Sequence, residues 1–355
     1  MIGFRLEERE KTPYWLIVIS PLMAIFVSLF IASFLIMLAG VNPITSYIEL
    51  AIGAFGSKNA VAETLARATP IILTGLAAAI AFRAKFWNIG AEGQLYFGAL
   101  ATTIFGTGLI VLPSFLMIPF LFIVGALAGG LLLLPLVILK IFYKVDEVVT
   151  TLLLNFVVVL LVSYLLEGPL KDPMSLGWPQ GKSVIDSGIL PQIVPRTRLH
   201  FGFIISIFSA ISIWVILNKT IIGYQIKSVG FNVSASSHAG LPIVRTIIIV
   251  ALMSGGMAGM AGVTETAGLK GYLTLDLSPG FGYAGIAVAM LANLNPFGVI
   301  FSGVFLASIY VGADAMSRAM NVPTYLADVI VALNVLCILL SLIFLNFKIK
   351  FTGKK

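Results

Sequence analysis

The segment Phe86–Gly98, FWNIGAEGQLYFG, holds the polar side chains that are best placed to bind a polar ligand. It sets Asn88, Glu92 and Gln94 among glycines at the start of an apolar stretch, and no charged residue follows Glu92 until Lys140. A carboxylate at the centre of a membrane helix costs about 2.5–3.5 kcal/mol on insertion scales, so one kept beside such a stretch is a functional candidate. The alternative is that Glu92 only caps the helix that follows.

The composition is that of an integral membrane protein. Of the 355 residues, 59% are hydrophobic and 10% are charged, and the mean hydropathy is +1.07. Soluble domains carry about 25% charged residues, so little of this chain can form a soluble domain. The apolar runs are continuous rather than alternating, which favours helices over a β-barrel. We predict an all-α fold, a polytopic helical membrane protein with about ten transmembrane helices.

The distribution of charge predicts one transmembrane domain with short tails. Residues 1–13 form a predicted cytoplasmic tail, residues 14–347 the transmembrane domain, and residues 348–355 a basic cytoplasmic tail. Lys and Arg accumulate on cytoplasmic loops, and the net charge of +7 fits two cytoplasmic termini. Within the domain, we expect residues 167–200 to form an external loop and residues 219–245 the largest cytoplasmic loop.

Each half of the chain contains a glycine-rich polar break with a helix of small residues. The breaks are Asn88–Gly98 in the first half and Gly280–Asn295 in the second. The first block begins with a span that enters from outside, and the second with one that leaves from inside. This pattern predicts inverted repeats with broken helices, as in many transporters.

Seven polar residues within or beside the predicted spans are candidates to line a path for a solute. They are Asn88, Glu92, Gln94, Asn155, Glu265, Asn293 and Asn295. They offer amide hydrogen bonds and two carboxylates but no cluster of cations, which suits an uncharged sugar or nucleoside better than a phosphate. Each of them can instead bond a neighbouring helix.

Other motifs indicate neither catalysis nor nucleotide binding. Gly181–Ser183 resembles the end of a phosphate-binding loop but lacks the earlier glycine, and Gly280–Gly285 fits a dinucleotide fingerprint without a preceding strand. We find no catalytic constellation and no metal-ligand spacing, so we predict no catalytic residue, cofactor or metal site in this chain. The single cysteine, Cys337, excludes an intrachain disulfide.

Two pairs of glycines have the spacing that allows helices to approach closely. They are Gly125 with Gly129 and Gly255 with Gly259. We expect these glycines to pack helices together and not to line a solute path.

The segment Gly223–Gly240, GYQIKSVGFNVSASSHAG, is a candidate docking element. Asn232 predicts a helix N-cap, and Gly240 before Pro242 predicts the end of a short helix. A short helix of Ala and Ser has little to bury alone, so we expect it to dock into a groove of a partner. The alternative is an ordinary loop.

Three blocks together resemble the permease subunits of ATP-binding-cassette (ABC) importers for ribose, nucleosides and branched-chain amino acids. Phe86–Ala99 is similar to the family pattern FxNIGxEGQxxxGA. Val145–Pro173 resembles the pattern NEVxxTLMLNxxAxxxxxYLxxGPxxDP of the nucleoside and simple-sugar branch, with Asp146 in place of Asn. Residues 223–240 resemble GxxxRAVGxNxxAAxxAGI, with Lys227 in place of Arg. The likeness extends from about residue 60 to the C-terminus.

The resemblance implies a permease subunit that forms the pathway for a nucleoside or simple-sugar-like solute in a prokaryotic inner or plasma membrane. It implies partner ATPase subunits that bind ATP-Mg, a second permease subunit, identical or homologous, and an extracytoplasmic solute-binding protein, with no nucleic acid. In this family the cytoplasmic loop contacts the ATPase. The resemblance therefore assigns coupling to Gly223, Lys227, Gly230, Asn232, Ala235, Ala239 and Gly240.

Two other functions remain open at this point. A stand-alone secondary transporter or channel would need ion-coupling residues, and the scarcity of Asp within the spans argues against it. A membrane-embedded transferase would need paired acidic residues, which the chain lacks. Substrate-stimulated ATP hydrolysis with partner subunits would distinguish the importer from both.

Overall fold

The computed structural model describes residues 3–8 and 13–352 of the chain. Within these ranges the protein is almost entirely helical, which confirms the predicted fold class. The helices in chain order are α1 Tyr14–Leu38, α2 Pro43–Phe55, α3 Lys58–Arg83, α4 Ala91–Gly106, α5 Ser114–Tyr143, α6 Glu147–Glu167, α7 Gly202–Lys219, α8 Ile221–Phe231, α9 Val233–His238, α10 Ile243–Val263, α11 Phe281–Leu291, α12 Pro296–Met320 and α13 Thr324–Asn346. A π-helical segment, Thr264–Lys270, continues α10.

The two ends of the described chain pair with each other. Strand β1, Gly3–Glu8, lies antiparallel to strand β2, Phe347–Thr352. Gly3 is opposite Thr352 in this two-stranded sheet. The predicted terminal tails therefore meet, although the predicted division into tails and transmembrane domain stays a prediction.

The expected number of membrane spans was too high. Seven helices of the described chain are long and apolar enough to cross a membrane, and an eighth span results if α1 and α2, which are bent by 116°, count as one. The two missing spans are α4, with 16 residues, and α11, with 11 residues. At 1.5 Å per residue they extend about 24 and 16 Å, whereas the hydrocarbon core is about 30 Å thick. The helix α4 begins inside the first glycine-rich break, Asn88–Gly98, and α11 lies wholly inside the second, Gly280–Asn295, so both are shorter than a membrane span.

The helices form two compact units. One unit comprises the described residues within Met1–Ala60 and Ser308–Lys355, and there α1 packs along α13. The other comprises residues 61–307, and there α10 packs against α4 and α5. Of the 18-residue apolar stretch of α3, 89% is buried inside the protein, whereas the corresponding share in α6 is 22%. Because α3 is surrounded by protein, its Ala, Thr and Gly residues can pack closely against other helices.

Glycines form the contact between α5 and α10. A Cβ atom added to Gly129 would lie 2.2 Å from the Gly255 carbonyl oxygen, and one added to Gly259 would lie 2.1 Å from that of Gly125. The two backbones approach this closely only because no side chain stands between them. The structure thus confirms the packing role expected for the two glycine pairs.

We expect Gly259→Ala to lower the melting temperature of the purified protein in detergent, or to prevent folding. The new methyl group would overlap the backbone of α5, and overpacking of this kind typically costs about 1–3 kcal/mol.

Gly256→Ala is the matched control on the same helix. A Cβ atom there would meet its nearest neighbour, the Ala126 carbonyl oxygen, at 3.3 Å. Alanine also favours a helix over glycine by about 0.8–1.0 kcal/mol, which offsets a small adjustment. Equal losses of melting temperature in the two variants would contradict the packing role of Gly259.

The long loop before α7, residues 168–201, is fixed to the π-helical segment and to the loop that follows it. The Leu190 amide donates to the Ala267 carbonyl oxygen, and the Gly181 amide to that of Leu273, both at 2.9 Å. The Ile185 amide donates to the Gly106 carbonyl oxygen at the end of α4 at 2.8 Å. These bonds make the loop an ordered part of the larger unit.

His200 packs at the end of this loop. The side chain is 1% exposed, and its Nδ1 accepts a hydrogen bond from the Gly202 amide at 3.2 Å. A Cβ atom on Gly268 would lie 2.7 Å from the imidazole ring, so the π-helical segment contacts it directly. Burial lowers the pKa of His200 to about 4. The imidazole is therefore neutral in the folded protein at pH 7.

His200 should make the protein less stable in acid. The unfolded chain binds the proton near the ordinary imidazole pKa of about 6.5, whereas the folded protein binds it only near pH 4. Its contribution to the free energy of unfolding therefore falls as the pH drops through this window, by up to about 3 kcal/mol. In thermal melts between pH 7.5 and 5, His200→Gln should lose less melting temperature than the wild type.

His238→Gln provides the control for this experiment, because His238 is exposed on α9. This variant should keep the pH dependence of the wild type. If His200→Gln and the wild type lose the same melting temperature on acidification, the buried neutral state of His200 is disproved.

Candidate functional site

The residues of the first polar break form a buried hydrogen-bonded network. Asn88 Nδ2 donates to Gln94 Oε1 and to Ser254 Oγ, both at 3.0 Å, and Asn88 Oδ1 accepts from Gln94 Nε2 at 3.0 Å. The Gly90 amide also donates to Asn88 Oδ1. Ser254 Oγ in turn donates to the Ala77 carbonyl oxygen at 2.8 Å. The network holds the start of α4 against α10 and α3.

Asn155 on α6 forms hydrogen bonds with backbone groups of Ile89 and Gly93 at the start of α4. Its Oδ1 accepts from the Gly93 amide at 2.8 Å, and its Nδ2 donates to the Ile89 carbonyl oxygen at 3.0 Å. The same Nδ2 donates to the Tyr283 hydroxyl on α11 at 2.9 Å. One buried amide therefore links α6, the start of α4 and α11.

Glu92 lies between the first turns of α4 and α11. Its Oε2 accepts a hydrogen bond from the Gly282 amide at 2.7 Å, while the Gly280 and Phe281 amides donate to Ser278 Oγ. A Cβ atom on Gly282 would lie 2.2 Å from the Glu92 nitrogen, so the two helix starts are in contact. Helix N-termini carry partial positive charge, and a carboxylate stabilises them. Glu92 thus caps α11 while belonging to α4.

The predicted path residues fall into three places. Four of them form a buried junction of α4, α6 and α11, hereafter the junction: Asn88, Glu92, Gln94 and Asn155. Glu265 is buried in the π-helical segment. Asn293 and Asn295 are exposed between α11 and α12, where Asn295 Oδ1 accepts from the Phe297 amide at 3.0 Å. The structure brings the first four together, and the role of all seven in a solute path stays a prediction.

A polar cavity of about 550 Å³ opens in the same unit. This volume is within the range of about 300–1,000 Å³ for small-molecule sites. Its walls come from α3, the long loop before α7, the π-helical segment and the loop into α11. The lining residues are Arg67, Trp178, Arg198, Glu265, Leu269, Lys270, Tyr272, Thr274, Asp276, Leu277, Pro279 and Phe281.

Two charged pairs lie at this cavity. Lys270 Nζ is 3.1 Å from Asp276 Oδ2 and donates to the Thr274 hydroxyl at 3.1 Å. A hydrogen bond from Thr274 lowers the pKa of Asp276, and Lys270 adds to that effect. Arg198 Nη1 is 3.4 Å from Glu63 Oε1. Each pair joins one cation to one carboxylate, so the two pairs add no net charge to the wall of the cavity.

Glu265 differs from the other acids of the cavity. It is 1% exposed, and its Oε1 has no hydrogen-bond partner among the residues that the structure describes. The charges that act on it are those of Arg67, Lys270 and Glu63. Buried polar atoms in native proteins are nearly always bonded, so an unpaired oxygen on a residue that lines the cavity indicates a place for a ligand or water.

The sequence pattern predicted only one residue of this cavity, Glu265. Arg67, Trp178 and Arg198 are too far apart in sequence to form a recognisable motif. A usable signal was the concentration of Glu265, Lys270 and Asp276 within one irregular segment of a chain with few charges. Within the described residues, no group of three or more His, Cys, Asp or Glu is placed to hold a metal ion.

Residues 219–245 fold into α8, α9 and the start of α10. Asn232 Oδ1 accepts a hydrogen bond from the Ala235 amide at 3.0 Å, which confirms the predicted N-cap of α9. Gly240, with φ of +74°, follows the end of α9, as predicted. All residues of α9 except Ser236 are exposed. This helix therefore presents a nearly complete free surface in the isolated chain.

The predicted coupling residues divide into packed and exposed groups. A Cβ atom on Gly230 would lie 2.0 Å from the Arg83 carbonyl oxygen, and one on Gly223 would lie 2.2 Å from that of Ile216. These two glycines hold α8 against neighbouring backbone. Lys227 Nζ donates to Asn218 Oδ1 at 2.8 Å. The exposed group consists of Asn232, Ala235, Ala239 and Gly240.

Glu92→Gln should destabilise the protein because it weakens the bond to the start of α11. Hydrogen bonds to charged groups contribute about 1.5–3 kcal/mol, and Glu92 is 6% exposed. We expect a lower melting temperature for the purified variant in detergent. Glu167→Gln, at the exposed end of α6, is the control and should melt like the wild type. Wild-type melting of Glu92→Gln would contradict this role of the carboxylate.

The sequence is similar to a family of transport proteins. Residues 60–339 match the family described as "Branched-chain amino acid transport system / permease component". The matched range contains the junction, the cavity and α8–α9.

Relatives of the chain are permease proteins of ABC transporters. The guanosine ABC transporter permease protein NupP of Bacillus subtilis (strain 168) is 34% identical over 318 residues, 89% of this chain and 91% of that protein. The glucose ABC transporter permease protein TsgB13 of Haloferax volcanii is 30% identical over 358 residues, 98% and 94% of the two chains. The nucleoside ABC transporter permease protein NupB of Lactococcus lactis subsp. cremoris is 28% identical over 323 residues, 89% and 88%.

These matches cover most of the chain and agree with the apolar helices and with the three sequence blocks. They also agree with the expectation that the chain is a transport subunit and not an enzyme. The protein is a multi-pass membrane protein that belongs to the permease family of ABC transporters.

Proposed function

We propose that this chain forms the translocation pathway for a nucleoside or a simple-sugar-like solute in an ATP-driven importer. The observation that carries the proposal is the polar cavity, whose hydrogen-bonding groups and balanced charges suit an uncharged polar solute. The names of the relatives, which refer to guanosine, nucleosides and glucose, support the same class of solute.

We further propose that the chain works in a prokaryotic inner or plasma membrane with both termini in the cytoplasm. An even number of spans places both ends on one side of a membrane, and the described part of the chain has eight spans when α1 and α2 count as one. The pairing of β1 with β2 supports this arrangement, because it holds the two ends together.

The partners in this proposal are ATPase subunits that bind ATP-Mg, a second permease subunit, identical or homologous, and an extracytoplasmic solute-binding protein. The exposed helix α9 supports an ATPase contact, because only Ser236 of its residues is buried.

ATP must favour one arrangement of the permeases over another, since a ligand shifts an equilibrium only through a difference in affinity. The short helices α4 and α11, whose starts meet at the junction, are elements that such a change can move relative to each other.

Proteoliposomes that contain this chain with its partner permease and ATPases test the proposal. With the binding protein outside, tritiated guanosine or glucose should accumulate only when ATP-Mg is present on the ATPase side. Uphill uptake by the purified chain alone, or uptake driven by a proton or sodium gradient without ATP, would favour a secondary transporter and contradict the proposal.

Ala235→Trp tests the ATPase contact within the same assembly. The added indole on the exposed face of α9 should abolish co-purification of the ATPase and ATP-driven uptake. Met174→Trp, at a residue 84% exposed in the long loop before α7, is the matched control and should keep the ATPase bound. Gly230 is unsuitable for this test because it is packed against Arg83. Normal co-purification of Ala235→Trp would contradict the coupling role of α9.

A further inference from the structure

We propose that the cavity lined by Glu265 is a binding site for the neighbouring hydroxyl groups of an uncharged sugar ring, as in ribose, a nucleoside or glucose. The inference rests on the proposed function and adds a location and a recognition chemistry to it. The residues that line the site all lie in the larger structural unit of this chain.

The acceptor in this site is the Glu265 carboxylate. Glu265 lines the cavity, is 1% exposed, and leaves Oε1 without a hydrogen-bond partner in the described part of the chain. The unpaired Oε1 can accept a hydrogen bond from a hydroxyl group of a ligand. An open, buried acceptor of this kind matches a ligand that donates hydrogen bonds.

The charges around the cavity favour an uncharged ligand over an anion. Its three cations are Arg67, Arg198 and Lys270. Three carboxylates oppose them: Glu265 and Asp276 in the lining, and Glu63 in contact with Arg198. Lys270 is paired with Asp276 and Arg198 with Glu63, so these two cations are already matched by acidic side chains and are not left to bind a phosphate. The guanidinium and ammonium groups can still donate to hydroxyl oxygens.

Aromatic side chains complete the wall of the site. Trp178 and Tyr272 line the cavity, and Trp178 is 65% exposed although the loop that carries it is hydrogen-bonded in place. An exposed indole on a fixed loop offers a flat apolar surface to a sugar ring or a base. Stacking of a base on an aromatic side chain contributes about 1–3 kcal/mol in other proteins.

Equilibrium dialysis of the assembled transporter in nanodiscs, without the binding protein, tests the site with tritiated guanosine as the probe. We expect saturable binding, and we expect 2′,3′-dideoxyguanosine to compete about 10- to 100-fold less well because it lacks both ribose hydroxyls. Guanosine 5′-monophosphate should compete no better than guanosine. Competition by glucose would show that the site recognises sugar hydroxyls in general, and its failure to compete would restrict the site to nucleosides.

Glu265→Gln should weaken guanosine binding about 10- to 100-fold and remove the preference over the dideoxy analogue. Trp178→Leu is a second variant at an exposed position, so it should fold normally and also bind guanosine more weakly. Asp186→Asn is the control, because Asp186 is exposed in the same loop and outside the cavity lining. Its guanosine affinity should equal that of the wild type.

Three results would overturn the site: no saturable binding to the wild type, equal competition by the dideoxy analogue, or wild-type affinity in both Glu265→Gln and Trp178→Leu. If ATP-driven guanosine or glucose uptake persists beside any of these, the proposed function stands and only the location fails. If the full assembly takes up neither solute with ATP, the proposed function itself fails.

Discussion

The starts of two short helices, α4 and α11, meet inside the larger unit, and the Glu92 carboxylate lies between them. Both helix ends carry partial positive charge from unpaired amide groups, so their contact would be unfavourable without an anion. Gly282 allows the contact sterically, because any side chain there would overlap the Glu92 backbone. The Glu92 side chain and the absence of a side chain at Gly282 therefore bring the two polar breaks of the chain together.

The rest of the site depends on this contact. Irregular backbone within a membrane protein must be bonded internally, and the junction does this with Asn88, Asn155 and Ser254. The loop that leads into α11 forms one wall of the polar cavity, including Asp276, and ends at the helix that Glu92 caps. A shift of α11 against α4 would therefore move that wall. This connects the buried junction to the polar cavity.

The sequence predicted those features that depend on local chemistry. Asn232 caps α9 because its side chain is adjacent to the amides it bonds, and the glycines at 255 and 259 pack because helical spacing places them on one face. The number of spans was overestimated because hydropathy does not show where a helix begins, and α11 is only 11 residues long. The cavity was missed for a related reason. Trp178 and Arg198 reach the cavity through the packing of the long loop on the π-helical segment, and Arg67 reaches it from α3.

Hydrogen exchange of the α11 amides tests the bond on which this account depends. Native-state exchange measured by mass spectrometry should show the Gly282 amide protected in the wild type and in Glu167→Gln. In Glu92→Gln the same amide should exchange about 10- to 100-fold faster, because the bond of 2.7 Å to the Glu92 carboxyl group is replaced by a weaker one. Unchanged exchange at Gly282 in Glu92→Gln would show that the carboxylate does not hold the two helix starts together, and would contradict the account.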